Sequence, residues 1–327
     1  MSDSPMGVAA ILDQRTALHP HPRQPGDTTM PRQTADDFAP EVLKLFDQYV
    51  HGGISRRGFL DGAGKYAVGG ATAIGLLEAL SPNFAQAQQV SPSDARIATS
   101  RLNFDSPQGY GKASGYLARP AQSSGKDIPA VLVVHENRGL NPHIEDIARR
   151  IALEGYLAFA PDALFSVGGY PGDEDKARDL FGKLDQGKIK ADFLAAAQLL
   201  KTHAGTNGRV GAVGFCFGGG VVNFLATQWP DLNAGVPFYG AAPRLDDVAR
   251  IRAPLLLHFA QNDDRINALW PPYEAALKAA HAKYQAFTYA NTEHGFNNDT
   301  TPRFDAEAAA LAWQRTLTFF AHTLRTG

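Results

Sequence analysis

The chain of 327 residues contains one cysteine, Cys216, and its neighbours are those of a nucleophile. It lies in the run Gly-Phe-Cys-Phe-Gly at positions 214–218, after the apolar run 209–213 and before a helical pattern. A strand-to-helix turn of this kind holds a nucleophile on strained backbone, and its glycines are needed where a Cβ would collide. The helix N-terminus favours a thiolate through its partial positive charge. The pattern favours a nucleophilic thiol over a small buried apolar residue.

A thiol nucleophile needs a base, and the ends of two later apolar runs supply candidate partners. Asp263 and Asp264 follow one of these runs, and His294 follows the next. Where a nucleophile occupies such a turn, an acid and then a histidine come in this order downstream. Cys216, Asp263 and His294 are therefore predicted to converge at one sheet edge, with Asp264 as the alternative acid. His294 would move the proton while the aspartate orients its ring.

Acyl transfer also needs donors for an oxyanion, and backbone N–H groups near the turn can supply them. The predicted donors are Phe217, directly after the nucleophile, and Asn137, in the loop that follows an early strand. Glu136 lies in the same loop and is a further candidate for the site. The histidines near it do not form H-E-x-x-H, so we expect no catalytic metal, and acyl transfer of this kind requires no cofactor.

The elements that would position these residues alternate from position 94 onward. Predicted strands cover 96–104, 112–119, 129–135, 156–160, 209–215, 234–238, 254–260 and 284–290. Predicted helices cover 142–154, 188–203, 218–227, 272–281 and 305–324. The alternation predicts a doubly wound and mostly parallel sheet of about eight strands flanked by helices. Together with the nucleophile turn and the order of acid and histidine, it indicates an α/β-hydrolase fold. Residues 163–187 are a candidate lid, because ligands bind at the carboxyl ends of such strands.

The first 87 residues differ in composition and suggest a leader. Residues 1–50 are rich in Pro, Asp, Gln and Thr, which predicts a mostly unstructured segment. The run Ser-Arg-Arg-Gly-Phe-Leu at 55–60, the weakly apolar run 66–77 and Ala-Gln-Ala at 85–87 are similar to a twin-arginine export signal with its cleavage site. The sequence thus predicts an exported protein whose single mature domain is 88–327. The alternatives are a solvated pair, Arg56 and Arg57, at the start of an ordinary buried helix, and a true start at Met30.

Composition and charge limit the partners. With 31 basic and 33 acidic residues the formal charge is −2, which argues against nucleic acid as the main partner. A single cysteine excludes an internal disulfide. The apolar run 66–77 is too short to span a membrane, so we expect no permanent anchor. The expected partners are a small-molecule substrate and the twin-arginine export machinery. We expect the protein to be a monomer.

Together these residues resemble the dienelactone hydrolase family, also called carboxymethylenebutenolidases. The resemblance covers positions 94–324 and rests on Glu136-x-x-Gly139-Leu140, the run 214–219, Asp263, and His294-Gly295-Phe296. It implies a hydrolase that cleaves an ester or lactone through a Cys216–His294–Asp263 triad and an acyl-enzyme intermediate. It also implies that Glu136 holds the resting thiol and takes its proton when substrate arrives.

The sequence departs from this family at two substrate-binding positions. Members that act on dienelactones hold the substrate carboxylate with two arginines, and here these positions are Ser166 and Asn298. Arg138 is a candidate replacement, so these three are the predicted substrate-pocket residues. The loss of the arginines favours a neutral ester or lactone. The alternatives are a peptidase or acyl-peptide hydrolase of the same fold, a non-catalytic exported binding protein, and a thiol-redox protein. The last would need an external partner, because the chain has no resolving cysteine.

Overall fold

An eight-stranded sheet lies at the centre of the protein, as a computed structural model shows for residues 32–67, 72–123 and 128–325. The strands are β1 (Ile97–Ser106), β2 (Gly111–Pro120), β3 (Ala130–Val134), β4 (Leu157–Pro161), β5 (Val210–Phe215), β6 (Ala234–Phe238), β7 (Leu255–Asn262) and β8 (Tyr284–Glu293). Their order is β1-β2-β4-β3-β5-β6-β7-β8. Both pairings made by β2 are antiparallel and all the others are parallel. The predicted fold class is confirmed.

The central strands are apolar along their whole length because helices cover both faces of the sheet. Every residue of β3, β4, β5 and β6 is buried, as expected for parallel strands in the middle of an α/β sheet. The larger covering helices are α5 (Pro142–Leu153), α6 (Glu174–Phe181), α7 (Gln186–Thr202), α8 (Phe217–Gln228), α10 (Trp270–Ala279) and α11 (Ala306–Phe320), with the short α9 (Asp264–Asn267) beside them. Two apolar clusters fill the spaces on the two faces.

The last two strands are longer than the sequence pattern predicted. β7 continues to Asn262 and β8 to Glu293, and a register irregularity separates their pairs at Ala260 and Asn262. The extra length is polar, so periodicity did not reveal it. These polar extensions bring both strands to the same sheet edge. Asp263 and His294 follow directly after them.

The segment before the sheet is helical, which corrects the prediction of a mostly unstructured leader for its described part. It contains α1 (Pro40–Val50), α2 (Arg56–Ala63), α3 (Ala73–Leu80) and α4 (Phe84–Ala87). Residues 1–31, which include the alternative start Met30, and residues 68–71 of the predicted apolar run lie outside the described residues. We call residues 33–67 and 72–87 the cap.

A small apolar core holds the cap together, which is why it folds despite its polar composition. Its buried members, all between 0 and 7% exposed, are Phe38, Val42, Leu43, Phe46, Tyr49, Phe59, Ala63, Leu77 and Leu80. Ser55 caps α2 by accepting a hydrogen bond from the Gly58 N–H at 3.1 Å. The arginine pair therefore begins an ordinary helix in this structure, while export and cleavage near Ala87 stay predictions.

No described helix has both the length and the apolar character needed to traverse a lipid bilayer.

From Gln33 onward the chain forms one compact unit. The cap is thus packed against the sheet domain within that unit.

Replacing Phe59 tests whether the cap is a folded part of the protein. Its ring is fully buried in the cap core, so Phe59→Ala should cost about 3–5 kcal/mol of local stability. We expect faster proteolysis of the cap in the full chain. The control is Arg57→Ala, an exposed change two residues away. Equal cleavage rates for the two variants would contradict the packed cap.

Candidate active site

Cys216 lies on strained backbone between β5 and α8. Its φ is 56° and its ψ is −113°, a conformation that costs a non-glycine residue about 1–3 kcal/mol. Its N–H donates to the Phe238 carbonyl at 3.1 Å and its carbonyl accepts from the Gly220 N–H at 3.2 Å. These two bonds hold the residue in the strained conformation and turn its sulfur out of the sheet.

Two glycines make this turn possible because the backbone crowds around it. A Cβ on Gly214 would lie 2.2 Å from the Gly218 carbonyl oxygen. A Cβ on Gly218 would lie 2.2 Å from the Val134 carbonyl oxygen of β3. Real Cβ atoms do not come this close to backbone, so only glycine fits at either position. The glycines predicted from the sequence are needed for the reason predicted.

Asp263 and His294 form the contact expected of an acid and a base. Oδ2 of Asp263 accepts from Nδ1 of His294 at 2.5 Å, and both side chains are buried. Asp263 is fixed in turn as the N-cap of α9, where it accepts from the Ile266 N–H at 3.3 Å. The alternative acid, Asp264, is exposed as the first residue of α9. The structure therefore selects Asp263.

The sulfur of Cys216 lies between two histidines. A ring nitrogen of His294, one of His51 and Sγ of Cys216 are all within 4.8 Å of one another. Nε2 of His51 is 3.3 Å from Sγ, and Nε2 of His294 is buried without a hydrogen-bond partner. Among the described residues, this group is also the one arrangement with the donors for a metal ion. A thiolate between two imidazoles accounts for the same three atoms.

The charges in this cluster favour a thiolate. Burial alone raises the pKa of the Cys216 thiol, but the charges of His294 and His51 outweigh it and bring the pKa down to about 5. Burial alone lowers the pKa of His294, but Cys216 and Asp263 together raise it to about 10. The lowered pKa of Cys216 and the raised pKa of His294 together favour a thiolate beside an imidazolium.

His51 is the site residue that the sequence did not reveal. It follows α1 in the cap, 165 positions before Cys216. Its Nδ1 lies 2.7 Å from the Asp47 carbonyl oxygen and 3.2 Å from Oδ1 of the same residue. The only signal was a histidine four residues after an aspartate in an amphipathic stretch, and nothing in that pattern indicates which surface the histidine faces.

The loop after β3 contacts the cap rather than open solvent. Nδ2 of Asn137 donates to the Val50 carbonyl at 2.8 Å. Arg138 donates to the same carbonyl at 3.1 Å and to Oδ1 of Asn137 at 2.6 Å. Arg138 is also 3.6 Å from Glu174. Its charge is therefore partnered within the protein, although we predicted a substrate-pocket role for it.

Glu136 and Asn298 are paired with each other. Nδ2 of Asn298 donates to Oε2 of Glu136 at 3.1 Å. Within the described part of the chain Glu136 makes no hydrogen bond to Cys216, which the family resemblance had implied. His51 contacts the sulfur instead. Glu136 and Cys216 line the same small cavity, but the carboxylate is bonded to Asn298 and the contact with the sulfur is made by His51.

Ser166 lies away from the site, whereas other parts of the candidate lid border it. Ser166 is exposed in the short turn Phe165–Val167 and lines neither cavity at Cys216. Gln186 lines one of these cavities, and Glu174 and Asp175 line the other. Within the candidate lid, 163–187, α6 supports the cap, since Arg56 is 2.9 Å from Asp175.

Two cavities meet at Cys216, and His51 of the cap lines both of them. The larger, about 720 Å³, is also lined by His51, Asn137 and Phe217. The smaller, about 50 Å³, contains the Glu136 and Asn298 side of the sulfur and is walled by cap residues. Phe217 begins α8, so its N–H has no acceptor within the helix. The large cavity thus borders the sulfur and both residues predicted to bind an oxyanion.

Comparison with known proteins identifies relatives over most of the sheet domain. The sequence model described as the dienelactone hydrolase family matches residues 113–324. A second model, described as YqhI-like, matches residues 30–68, which include most of the cap. The two models match separate parts of the chain.

Curated relatives match the chain over different lengths. The chain is 34% identical over 251 residues to a putative carboxymethylenebutenolidase of Escherichia coli K12, covering 70% of this chain and 89% of that protein. It is 55% identical over 114 residues to a putative hydrolase fragment, YghX, of the same strain, covering 35% of this chain and 97% of the fragment.

Solved structures share the fold. A putative dienelactone hydrolase from Klebsiella pneumoniae has a TM-score of 0.61 and 31% identity, covering 68% of this chain and 99% of that one. An acylaminoacyl peptidase of Pyrococcus horikoshii has a TM-score of 0.54 at 16% identity, covering 71% of this chain and 42% of that one. This second likeness extends to the fold alone.

Alanine at two glycines of α8 should have opposite effects. Gly218→Ala forces a Cβ against the β3 backbone, so we expect a loss of more than about 4 kcal/mol or of folded protein altogether. At Gly220 the nearest atoms would be 3.7 Å away, so Gly220→Ala should be neutral or stabilising by up to about 1 kcal/mol. Chemical denaturation measures both. Similar stabilities would contradict the crowded turn.

The ionisation of Cys216 can be followed directly because it is the single cysteine. We expect thiolate absorbance, and alkylation by iodoacetamide, to rise with a midpoint near pH 5 rather than near the ordinary thiol value of 9. The sign follows from the lowered pKa, since the thiolate persists at every pH above it. Cys216→Ala gives the baseline. A midpoint of about 8 or higher would refute the ion pair.

Proposed function

The chain belongs to the dienelactone hydrolase family, and we propose that it hydrolyses a neutral ester or lactone through attack by the Cys216 thiolate. Members of this family cleave ester or lactone bonds, so the chain is a hydrolase of this type. The observation that carries the proposed thiol chemistry is the buried contact of Asp263 with His294 beside the sulfur on the strained turn. Nucleophile, base and orienting acid then occupy one site, as nucleophilic catalysis requires.

The first step forms an acyl-enzyme. The thiolate attacks the carbonyl carbon and the carbonyl π electrons move to oxygen, where the Phe217 and Asn137 N–H groups would bind the oxyanion. When the intermediate collapses, the C–O bond to the leaving group breaks. The alkoxide takes the proton from Nε2 of His294, which leaves a thioester on Cys216 and a neutral imidazole.

The second step returns the enzyme to its resting form. Neutral His294 takes a proton from water as the water oxygen attacks the thioester carbonyl. Collapse breaks the C–S bond, releases the carboxylic acid and restores the thiolate beside an imidazolium. Asp263 accepts from Nδ1 throughout, which keeps Nε2 directed at the reacting atoms.

The preference for a neutral substrate is supported by the fate of the predicted pocket residues. Asn298 is bonded to Glu136, and Arg138 is partnered by Glu174 and the cap. The large cavity beside the sulfur has an apolar part lined by Phe217, Val221, Phe224, Ala241 and Ile266, and a polar part lined by Lys190, Arg244, Asp247 and Arg265. An uncharged acyl group is favoured against the apolar part.

Turnover tests the thiol chemistry. We expect the full chain to hydrolyse a small neutral aryl ester faster than a dienelactone, and Cys216→Ala and His294→Ala to abolish both activities. Efficient dienelactone turnover would refute the neutral preference and would point to a cation of the large cavity, such as Arg265. Full ester turnover by Cys216→Ala would refute the thiol mechanism.

Two adjacent aspartates provide a matched pair of variants. Asp263→Asn removes the negative charge at Nδ1 of His294 and can present an amide N–H there, which favours the wrong tautomer, so kcat should fall by about 10³- to 10⁴-fold. Asp264→Asn changes an exposed neighbour and should leave kcat within about twofold. Steady-state kinetics on the neutral ester measures both. Equal losses would contradict the assignment of the acid.

A further inference from the structure

We propose that His51 of the cap is a second histidine of the active site, which holds Cys216 as a thiolate in the resting enzyme. This inference rests on the proposed function, because it assumes that Cys216 is the nucleophile. It adds a residue from outside the 113–324 segment that matches the family. It also makes the cap part of the enzyme's working site rather than a leader.

The direct contact carries the first step of the argument. Nε2 of His51 is 3.3 Å from Sγ of Cys216, which is hydrogen-bond distance for sulfur. The rings of His51 and His294 meet edge to face, with centroids 4.7 Å apart. The sulfur is therefore approached by an imidazole from the sheet domain and by another from the cap.

Both imidazoles have an aspartate behind them, through a carboxylate hydrogen bond for His294 and through a backbone hydrogen bond with the carboxylate 3.2 Å away for His51. His294 has the carboxylate of Asp263 at Nδ1, and His51 has the carbonyl and carboxylate of Asp47 at its own Nδ1. A carboxylate at one ring nitrogen fixes the ring and favours its charged form. In both cases the other nitrogen is on the side of the sulfur. His51 is thus built into the site in the way a working histidine is.

The groups that face His51 decide its charge. Asp47 and the Cys216 thiolate favour the imidazolium, whereas His294 opposes it. Arg265 of α9 also opposes it: its guanidinium can only donate, and its Nη2 lies 3.1 Å from Nε2, so this contact uses Nε2 as the acceptor of a neutral ring. Arg303 lies behind Asp47 at 3.7 Å. Burial lowers the pKa of His51, but Cys216 and Asp47 prevail and the net direction is upward. In the charged form that we propose, Nε2 gives up the Arg265 bond and donates to the thiolate.

The cap is anchored at the position that carries His51. The preceding residue, Val50, accepts hydrogen bonds through its carbonyl from Asn137 and Arg138. On the other side of α1, the Tyr49 hydroxyl donates to Asp175, and the guanidinium of Arg178 lies 4.3 Å from the Tyr49 ring centre. These contacts join the end of α1 to the loop that contains Asn137 and Arg138, and to α6.

The cap leaves the sulfur accessible, which argues for a working role rather than a plug. Cys216 and His51 both line the large cavity of about 720 Å³. On the opposite side the cap reduces the space to about 50 Å³. Substrate can therefore approach from one side while His51 stays in place. His51 forms part of the wall against which the substrate binds.

The pH dependence of His51→Gln tests the proposal in the full chain. Glutamine retains a hydrogen-bonding amide but cannot carry a charge. Loss of this cation should raise the midpoint of Cys216 thiolate formation by about one pH unit or more, which cuts thiolate and kcat/KM about tenfold below the midpoint. Activity should recover towards the wild-type value at about pH 8, because His294 still lowers the pKa of the thiol and this pH is well above the raised midpoint.

Two control variants separate charge from cap packing. Tyr49→Phe removes the bond to Asp175 but leaves His51, so the Cys216 midpoint should stay at its wild-type value. His322→Gln changes an exposed histidine in the last helical turn and should have no effect on the midpoint. If the midpoint of Cys216 ionisation shifted as much in Tyr49→Phe as in His51→Gln, the proposal would be overturned. The shift would then come from changed packing of the cap and not from loss of the His51 charge.

The outcomes distinguish this inference from the proposed function. If Cys216→Ala is inactive and His51→Gln titrates like the wild type, His51 has no role and the thiol mechanism stands. If Cys216→Ala retains activity, both the thiol mechanism and the proposed role of His51 are refuted. The predicted cleavage after Ala87 provides an independent test, since it would remove His51. A fully active native enzyme whose mass corresponds to residues 88–327 would overturn the proposal, and one that retains the cap would support it.

Discussion

A charged sulfur held in a mostly buried position is the interaction on which the rest of this site depends. Burial opposes the thiolate, and the imidazole charges beside it are what reverse the balance. Those imidazoles must themselves be held, and a buried or half-buried carboxylate stands behind each of them. The strained turn and its glycines deliver the sulfur to the one point where these charges act together.

The sheet domain was largely predictable because its signals are local and repeated. Apolar runs such as Val131 to Val134 leave few alternatives to a buried strand, and the glycines around Cys216 are dictated by backbone crowding. The acid after β7 was harder to assign, since Asp263 and Asp264 are adjacent in sequence. Only Asp263 is directed inward, because it also caps the helix that starts after it.

The cap was not predictable from its composition, for a physical reason. Arginine pairs followed by an apolar run occur both in export signals and at the start of an amphipathic helix, and the residues alone do not say what Phe59 packs against. Its partners include Phe46 and Tyr49, from a helix earlier in the chain. The contact of His51 with Cys216 depends on that tertiary packing, which no periodicity encodes. The role that the family resemblance implies for Glu136 stays a prediction, since its carboxylate is bonded to Asn298 here.

The single carbonyl of Val50 has a consequence for how the protein responds to heat. It accepts from Asn137 and Arg138 and so couples the cap to the loop that would bind the oxyanion. The cap has a core of nine buried residues, far smaller than the clusters on the sheet, and small units open at lower free energy than the whole fold. Thermal inactivation would then begin with detachment of the cap while the sheet is still intact. The temperature limit of the enzyme would be set by its smallest core and not by its largest.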